Sequence, residues 1–214
     1  MAQVTVVDYG AGNLLSVRRA FEHFGAEVVV TGEAGQIASA ERLVLPGVGA
    51  FGKGMAELRG RGLVPAILTY ASEARPLLGI CLGMQMLLDE SVEFGSHSGL
   101  GLIPGKVVPI PAQGRDGKPH CIPHIGWNGL VHPVLGDQDW QGTVLEGIAP
   151  GSHAYFVHSF MALPDHPAHR LADCIYHGLD ITGVIRKGNV TGCQFHPEKS
   201  GEIGLRIIEG FLKQ

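Results

Sequence analysis

The chain has 214 residues, of which 45% are hydrophobic and 17% are charged, and its formal net charge is −4. This length suits one domain, over residues 1–214, with a full hydrophobic core, and the composition excludes an intrinsically disordered chain. The slightly acidic charge, without any Lys/Arg run, argues against a protein that binds nucleic acid or an anionic membrane.

The sequence also gives no sign of export or of disulfide cross-linking. Residues 1–4 carry no basic segment, and no apolar run approaches the roughly 18 residues of a membrane span. The four cysteines form no CxxC pair and are too few for a disulfide scaffold. They are Cys81, Cys121, Cys174 and Cys193. We therefore expect a cytoplasmic protein with reduced thiols.

In the first half of the chain, predicted strands alternate with predicted helices. Apolar runs predict strands over residues 3–8, 27–31, 42–45 and 77–80. Helical spacing of apolar residues predicts a helix over 14–24, which Gly25 ends, a second over 63–74, and a third that begins near Gly83. This alternation indicates a parallel sheet that is covered by helices on both faces.

The second half of the chain has a different pattern. Between residues 106 and 195, strand-like segments such as 154–158, 171–176 and 181–186 are separated by Gly, Pro, Asn and Asp turns. A final amphipathic helix is predicted over 202–213, with Ser200 as its N-cap. The predicted fold class is α/β, with a mostly parallel open sheet flanked by helices and antiparallel strands added in the second half.

One cysteine lies in a pattern typical of a nucleophile. An apolar strand runs into Gly79-Ile80-Cys81-Leu82-Gly83, and a helix-like stretch follows. Flanking glycines allow the sharp strand-to-helix turn called a nucleophile elbow, and the helix N-terminus favours negative charge and offers N–H groups to an oxyanion. The alternative is that Cys81 is a small buried core residue, as free cysteines commonly are.

A nucleophilic cysteine needs a base, and the base needs a group that orients it. His196 follows a predicted strand that Pro197 ends, and Glu198 is two residues further on, within reach of the same imidazole. Strand alternation places Cys193 on the face opposite His196, which makes Cys193 a poor candidate nucleophile. His196 is one of 11 histidines, so its spacing alone leaves a purely structural role open.

Two other motif matches are weak. Residues 47–52 formally match the GxGxxG pattern of dinucleotide-binding proteins, but Pro46 is unusual there and no acidic residue ends a following strand at the required distance. Those glycines could instead offer backbone N–H groups to an oxyanion. His196-Pro197-Glu198 resembles part of the zinc deaminase signature, but no PCxxC follows it, so no metal site is expected.

Taken together, the motifs resemble one family along nearly the whole chain. They are similar to those of class I (triad-type) glutamine amidotransferases, and in particular of the glutaminase subunits of imidazole glycerol phosphate synthases. The matching segments are 8–14 (DYGAGNL), 46–51 (PGVGAF), 79–85 (GICLGMQ), 125–128 (IGWN), 155–160 (YFVHSF) and 194–200 (QFHPEKS). The FHPE match marks the wider class, and the IGWN, PGVG and DYGAGN matches narrow it to these subunits.

The resemblance implies a role for each motif. Cys81 would be the nucleophile, His196 the proton-transfer group and Glu198 its orienting residue. Backbone N–H groups of Leu82 and of the loop formed by Gly47, Val48 and Gly49 would stabilise the oxyanion. The residues implied to hold glutamine are Gln85, Tyr155, His158 and Ser159. No cofactor and no metal are implied.

The resemblance also implies a partner, a separate (β/α)₈-barrel cyclase that would form a heterodimer with this chain and receive its ammonia. It suggests that Trp127 and Asn128 face this partner, and that a peptide flip in the 47–49 loop switches the glutaminase on. Three rival interpretations stay open from the residues themselves. They are a glutaminase subunit of an anthranilate or pyridoxal phosphate synthase, a dinucleotide-binding module that uses residues 47–52, and a non-catalytic α/β interaction protein.

Overall fold

A central sheet of nine strands organises the fold in this computed structural model, which describes residues 2–135 and 139–214. The predicted domain 1–214 also includes Met1 and residues 136–138, which lie outside the described residues. The strands are β1 (Gln3–Val7), β2 (Glu27–Thr31), β3 (Leu43–Gly47), β4 (Leu77–Cys81), β5 (Glu90–Ser91), β6 (His97–Ser98), β7 (Gly105–Pro109), β8 (His124–Val131), β9 (His153–His158), β10 (Phe160–Pro164), β11 (Arg170–Tyr176), β12 (Leu179–Lys187) and β13 (Val190–Cys193). The helices are α1 (Leu14–Glu22), α2 (Ala34–Ala38), α3 (Phe51–Gly60), α4 (Leu63–Ser72), α5 (Leu82–Met86) and α6 (Gly201–Leu212).

The strand order of the central sheet is β2-β1-β3-β4-β13-β12-β11-β8-β9. The first five strands in this order run parallel, and β12, β11, β8 and β9 extend the sheet in antiparallel fashion. Parallel strands need long connections, and these connections carry the helices that the sequence pattern predicts. The α/β fold class, with antiparallel additions in the second half, is confirmed.

Helices cover both faces of the parallel part of the sheet. On one face, α1 and α6 contribute Val17, Phe21, Ile208 and Phe211 to a continuous apolar core. On the other face, helices α2 to α5 form a second core with a smaller sheet, whose strand order is β10-β7-β5-β6. Burial on both faces explains why β1, β3 and β4 are nearly continuous apolar runs instead of alternating polar and apolar residues.

Two details of the predicted elements are corrected. Helix α1 ends at Glu22, and Phe24, which the periodicity had included, lies beyond it and is partly exposed. Ser200 occupies the N-cap position of α6, but its side chain does not cap that helix. Its hydroxyl donates to the His196 carbonyl at 2.7 Å and accepts the Tyr155 N–H at 2.9 Å, so Ser200 ties the end of β13 to β9.

Helix α3 and the smaller sheet were not predicted from the sequence. Helix α3 contains Gly52 and Gly54, which lower the intrinsic helix propensity of the segment. Gly54 is closely packed all the same, because a Cβ there would lie 3.0 Å from the sulfur of Met86 and 3.1 Å from Cδ2 of Leu82. Among the described residues, none of the helices has both the length and the apolar character of a membrane crossing.

Candidate active site

Cys81 lies at the sharp turn between β4 and α5, as the glycine pattern predicts. It is the last residue of β4, α5 begins at Leu82, and the backbone angles of Cys81 are φ 54° and ψ −110°. A side-chain-bearing residue with such a positive φ is strained, and strain of this kind persists where the surrounding structure enforces it. The turn therefore holds the cysteine in a conformation that its own backbone disfavours.

The two glycines that flank this turn are required for close packing. A Cβ at Gly83 would lie 1.8 Å from the carbonyl oxygen of Leu45 on the neighbouring strand β3. A Cβ at Gly79 would lie 2.8 Å from backbone atoms of Gly83 and Met84. Both distances are far below van der Waals contact, so the absence of a side chain at Gly83 lets the elbow pack against β3, and the absence of one at Gly79 lets α5 fold back onto β4.

His196 comes from the strand next to Cys81 in the sheet. Strand β13 pairs in parallel with β4, with Cys193 opposite Ile80, so the segment that follows β13 lies beside the elbow. The Nδ1 atom of His196 is 2.8 Å from Oε1 of Glu198, and both side chains are almost completely buried. The backbone N–H of His196 donates to the Tyr155 carbonyl at 3.0 Å. Because Nδ1 faces the carboxylate, Nε2 is the nitrogen left for Cys81.

The surroundings of His196 favour its charged form. Burial by itself lowers the pKa of this imidazole, but hydrogen bonds to Cys81 and Glu198, and the negative charges of both, outweigh burial and raise the pKa to about 9. At neutral pH the imidazole is therefore protonated and paired with the Glu198 carboxylate. A group in that state can donate a proton to a departing amine.

Cys81 and His196 open into one cavity of about 430 Å³. Eight of the predicted site residues line it: Val48, Gly49, Cys81, Leu82, Gln85, His158, Ser159 and His196. Three predicted site residues do not: Gly47, Tyr155 and Glu198. Glu198 lies behind His196, and Gly47 ends β3 opposite Cys81. Tyr155 acts on the site through its backbone carbonyl, which accepts the His196 N–H.

The loop that contains Gly47 is fixed against the elbow. The hydroxyl of the fully buried Tyr9 donates to the Pro46 carbonyl at 2.8 Å. A Cβ at Gly47 would lie 2.4 Å from the Tyr9 hydroxyl oxygen and 3.0 Å from the Leu82 Cβ. The start of the loop is therefore wedged between Tyr9 and the elbow, whereas Val48 further along the loop is about half exposed.

Comparison with known proteins identifies the family. Residues 5–214 match the family model described as "Glutamine amidotransferase class-I". The chain belongs to this family. It is 55% identical over 213 residues, and over the full length of both chains, to imidazole glycerol phosphate synthase subunit HisH 1 of Legionella pneumophila (strain Lens). It is 43% identical over 210 residues to subunit HisH of Geobacillus sp. (strain WCH70), covering 97% of this chain and 95% of the relative.

Solved structures of class I glutamine amidotransferases share the fold. A crystal structure of a glutamine amidotransferase has a TM-score of 0.71 at 19% identity, with 98% of this chain and 97% of that chain covered. PurLQS from Thermotoga maritima has a TM-score of 0.69 at 21% identity, covering 99% and 97%. The family resemblance of the sequence motifs, and their closer likeness to imidazole glycerol phosphate synthase subunits, are thus confirmed.

Residues 47–52, which match the GxGxxG pattern, do not form a dinucleotide site in this fold. Helix α3 does begin at Phe51, directly after the glycine loop. However, the next strand of the parallel sheet is β4, which ends in Cys81 and not in an acidic residue, and the loop lines the cavity beside the elbow. In the part of the chain that the structure describes, no group of three His, Cys, Asp or Glu side chains is placed to hold a metal ion.

The remaining cysteines are free thiols, and Cys193 is fully buried. Burial, reinforced by the nearby Glu198 charge, raises the pKa of the Cys193 thiol far above its ordinary value. A thiol in that state is a poor nucleophile. This agrees with the strand alternation that placed Cys193 on the face opposite His196.

Sequence reasoning missed Glu93 as a site residue. Its carboxylate accepts the Phe51 N–H at 2.5 Å, which satisfies one of the free donors at the start of α3, and the residue lines the cavity. It follows a strand of only two residues and belongs to no motif, so only the three-dimensional packing brings it to the site. Lys199 also lines the cavity, and its place in the QFHPEKS segment was the signal that could have found it.

Proposed function

We propose that this chain, as one glutaminase domain, hydrolyses L-glutamine to glutamate and ammonia through a triad of Cys81, His196 and Glu198. The observation that carries this proposal is the meeting of a strained cysteine and a carboxylate-paired histidine, from adjacent parallel strands, at one cavity. This arrangement is the nucleophile, base and orienting group that covalent catalysis of acyl transfer needs.

The reaction proceeds in two halves. The Cys81 thiolate attacks the side-chain amide carbon of glutamine, and N–H groups at Leu82 and in the 47–49 loop stabilise the tetrahedral oxyanion. The His196 imidazolium gives its proton to the departing ammonia and leaves a glutamyl thioester on Cys81. Neutral His196 then takes a proton from water, the hydroxide attacks the thioester, and glutamate is released as the thiolate re-forms.

The polar groups of the cavity suit a zwitterionic amino acid. The Gln85 amide nitrogen donates to the Phe160 carbonyl at 3.1 Å and to Gln194 Oε1 at 3.0 Å, which uses both of its hydrogens. The group that Gln85 has left for a ligand is therefore its carbonyl oxygen, an acceptor for an ammonium. Glu93 adds a negative charge to the cavity lining for the α-ammonium, and Lys199 adds a positive charge for the α-carboxylate.

The ammonia acceptor is proposed to be a partner subunit. The relatives at 55% and 43% identity are named as subunits of imidazole glycerol phosphate synthase, a name that implies assembly with another chain. We infer that this chain forms a heterodimer with a (β/α)₈-barrel cyclase in the cytoplasm. The cyclase uses the ammonia to make imidazole glycerol phosphate and aminoimidazole carboxamide ribotide in histidine biosynthesis.

An exposed apolar surface near the cavity fits this partner. Ile125 and Trp127 on β8 are each more than half exposed, and Val48 at the cavity is nearly half exposed. The Trp127 ring packs edge-on against the Tyr155 ring at 5.9 Å, and the Tyr155 carbonyl holds the His196 N–H. Asn128, in contrast, donates its side-chain amide to the Ile175 carbonyl and is a weaker candidate for partner contact than Trp127.

The 47–49 loop is the proposed point of activation by the partner. At the far end of the loop, Gly49 has a φ of 99°, a backbone conformation that glycine adopts with little steric strain. The start of the loop is held by Tyr9, so a peptide flip would be confined to Val48 and Gly49. Val48 is exposed on the same side as the cavity, where a docked partner could shift the balance between the two peptide orientations.

Labelling with a glutamine-mimicking electrophile tests the proposed function. The complex of this chain and its cyclase is treated with a diazoketone analogue of glutamine and digested, and the modified peptide is identified by mass spectrometry. We expect the label on Cys81 and protection by glutamine. Cys121 is an exposed free thiol and serves as the internal control, so Cys121→Ala should be labelled like the wild type. Labelling of Cys121 in place of Cys81, or no protection by glutamine, would contradict the proposal.

The two other triad members are expected to differ in importance. His196→Ala removes the proton-transfer group and should lower the glutamine-dependent kcat by about 10³-fold or more. Glu198→Ala removes only the orienting carboxylate, and its loss of kcat should be smaller than that of His196→Ala by a factor of about 10 to 100. Glu198→Ala should also narrow the pH range of activity. Without the carboxylate the His196 pKa falls from about 9, so the protonated imidazole is lost at lower pH. Steady-state glutaminase rates from pH 6 to about pH 10 measure both effects. Equal losses in the two variants would refute the orienting role of Glu198.

A further inference from the structure

Two buried histidines face each other across strands β8 and β9 beside the candidate active site. His124 and His158 are directly opposite in the antiparallel register, and Nδ1 of His124 is 3.1 Å from Nε2 of His158. His158 lines the cavity that contains Cys81 and His196, whereas His124 lies one layer behind it. The His124 ring stacks on Phe156, with ring centroids 5.0 Å apart, and on Tyr176, with centroids 4.1 Å apart.

The hydrogen-bond partners fix which nitrogen of each ring carries the proton. Nδ1 of His158 is 2.8 Å from the Phe160 carbonyl, which can only accept, so this nitrogen donates. In the neutral ring, Nε2 of His158 then carries no proton and accepts through its lone pair, so Nδ1 of His124 must donate to it. His124 Nε2 is in turn an acceptor.

Asn128 sets the direction of this chain of hydrogen bonds. Its side-chain oxygen accepts the Gly129 N–H at 2.8 Å and its amide nitrogen donates to the Ile175 carbonyl at 3.0 Å, so the amide orientation is determined. The same nitrogen is 3.5 Å from Nε2 of His124 and presents a hydrogen to it. If His124 carried its proton on Nε2 instead, two donors would face each other there.

We propose that His124 is a positioning residue for the glutamine cavity, which through one N–H donated to Nε2 of His158 keeps that nitrogen unprotonated, and the ring neutral, beside Cys81 and His196. The functional part of this inference rests on the proposed glutaminase activity. A neutral His158 matters because a second imidazolium in the cavity would repel the protonated His196 and compete with it for the thiolate.

The charged surroundings support this assignment. The pKa of His158 is lowered to about 4, mainly by burial of the ring. The hydrogen bond to the Phe160 carbonyl raises this pKa, whereas the positive charges of His124 and His196 lower it further. Burial and the charge of His177 lower the pKa of His124 to about 4. The other ionisable groups that line the cavity with His158 are Cys81, Glu93 and Lys199, and Tyr176 and His177 face His124 from the end of β11.

Histidine NMR of the isolated chain tests the proposal without relying on activity. His158 is assigned with a His158→Asn variant, and its ring nitrogens are followed from about pH 4 to about pH 8, which spans its own lowered pKa and the range in which ordinary histidines titrate. In the wild type we expect a protonated Nδ1 throughout and an unprotonated Nε2 above about pH 5.5. In His124→Phe, which keeps an aromatic ring and removes the N–H, Nδ1 should stay protonated because the Phe160 carbonyl still accepts from it, and Nε2 should take up a proton with a midpoint raised by at least about one pH unit.

Glutaminase kinetics with the partner subunit give the functional readout. His124→Phe should raise the KM for glutamine about fivefold, as expected for one lost hydrogen bond, and leave kcat near the wild-type value at about pH 8. The kcat/KM of His124→Phe should also fall as the pH is lowered, a decline that the wild type should not show over the same range. His124→Asn, which keeps a donor near the position of Nδ1, should restore both parameters. His132→Phe is the matched control, because His132 follows the other end of β8 and packs on Trp140.

Either of two results overturns the proposal. One is a His124→Phe chain in which Nε2 of His158 takes up its proton at the wild-type midpoint and the KM is unchanged. The other is a folded His124→Asn chain that is as impaired as His124→Phe. If the wild-type complex does not hydrolyse glutamine, the proposed function fails, while the titration midpoint of His158 in the variants still decides the role of His124.

Discussion

Replacement of Cys81 by alanine is expected to abolish glutamine-dependent synthesis by the complex, with a loss of about 10³-fold or more. The nucleophile is removed while the elbow is retained, because alanine keeps the Cβ and the packing of the turn against β3. The partner should still form its products when ammonium salt is supplied directly. The measurement is the rate of product formation with glutamine and with ammonium as alternative nitrogen sources.

The comparison between nitrogen sources separates chemistry from structure. Loss of both activities would mean that Cys81 is needed for folding or for docking of the partner, and not as a nucleophile. Cys121→Ala is the control, because Cys121 is exposed and free and is not part of the cavity lining. It should retain both activities. A glutamine-dependent rate that survives in Cys81→Ala would remove the basis of the proposed mechanism.

Replacement of Gly83 by alanine should lower the free energy of unfolding by at least about 3 kcal/mol. The new methyl group would clash with a backbone atom, and no side-chain rotation can relieve such a clash. The Cβ position is 1.8 Å from the Leu45 carbonyl oxygen, so α5 and β3 would have to separate. This movement would also shift Leu82 and Cys81, and we expect glutaminase activity to fall with stability. Urea denaturation followed by circular dichroism measures the change in the free energy of unfolding.

Gly60→Ala provides the matched control for Gly83→Ala. Gly60 is the last residue of α3, and a Cβ there would meet nothing within 4 Å. Alanine at such a site should be neutral or stabilising by up to about 1 kcal/mol, since it reduces the freedom of the unfolded chain. If Gly83→Ala unfolds at the same urea concentration as Gly60→Ala, the close approach of the elbow to β3 is not a requirement of the fold.

The parallel half of the fold could be predicted because its strands are buried on both faces. Apolar runs locate β1 to β4 within one or two residues, and β2 is predicted with the observed bounds. Cys81 and His196 were found for the same reason. Cys81 is the last residue of one recognisable strand and His196 lies three residues beyond the end of another, and the carboxyl ends of parallel strands lie on one edge of the sheet.

Features that depend on contacts between distant segments could not be predicted. Strands β5 and β6 have two residues each, too few for any periodicity to appear, and the smaller sheet exists only through pairing with β7 and β10. Glu93 reaches the cavity because the segment after β5 packs on the start of α3. The Ser200 hydroxyl matches an N-cap in the sequence, but two backbone groups from β9 and His196 use it instead.

The position of β13 in the central sheet has a consequence for shortened forms of the chain. This strand fills the gap between β4 and β12, although it follows both of them in the sequence. Without residues 190–198, β4 has an unpaired edge and the thiol at its end has no imidazole beside it. We therefore expect a chain cut before residue 190 to consume no glutamine and to leave a bare strand edge that can pair with other chains.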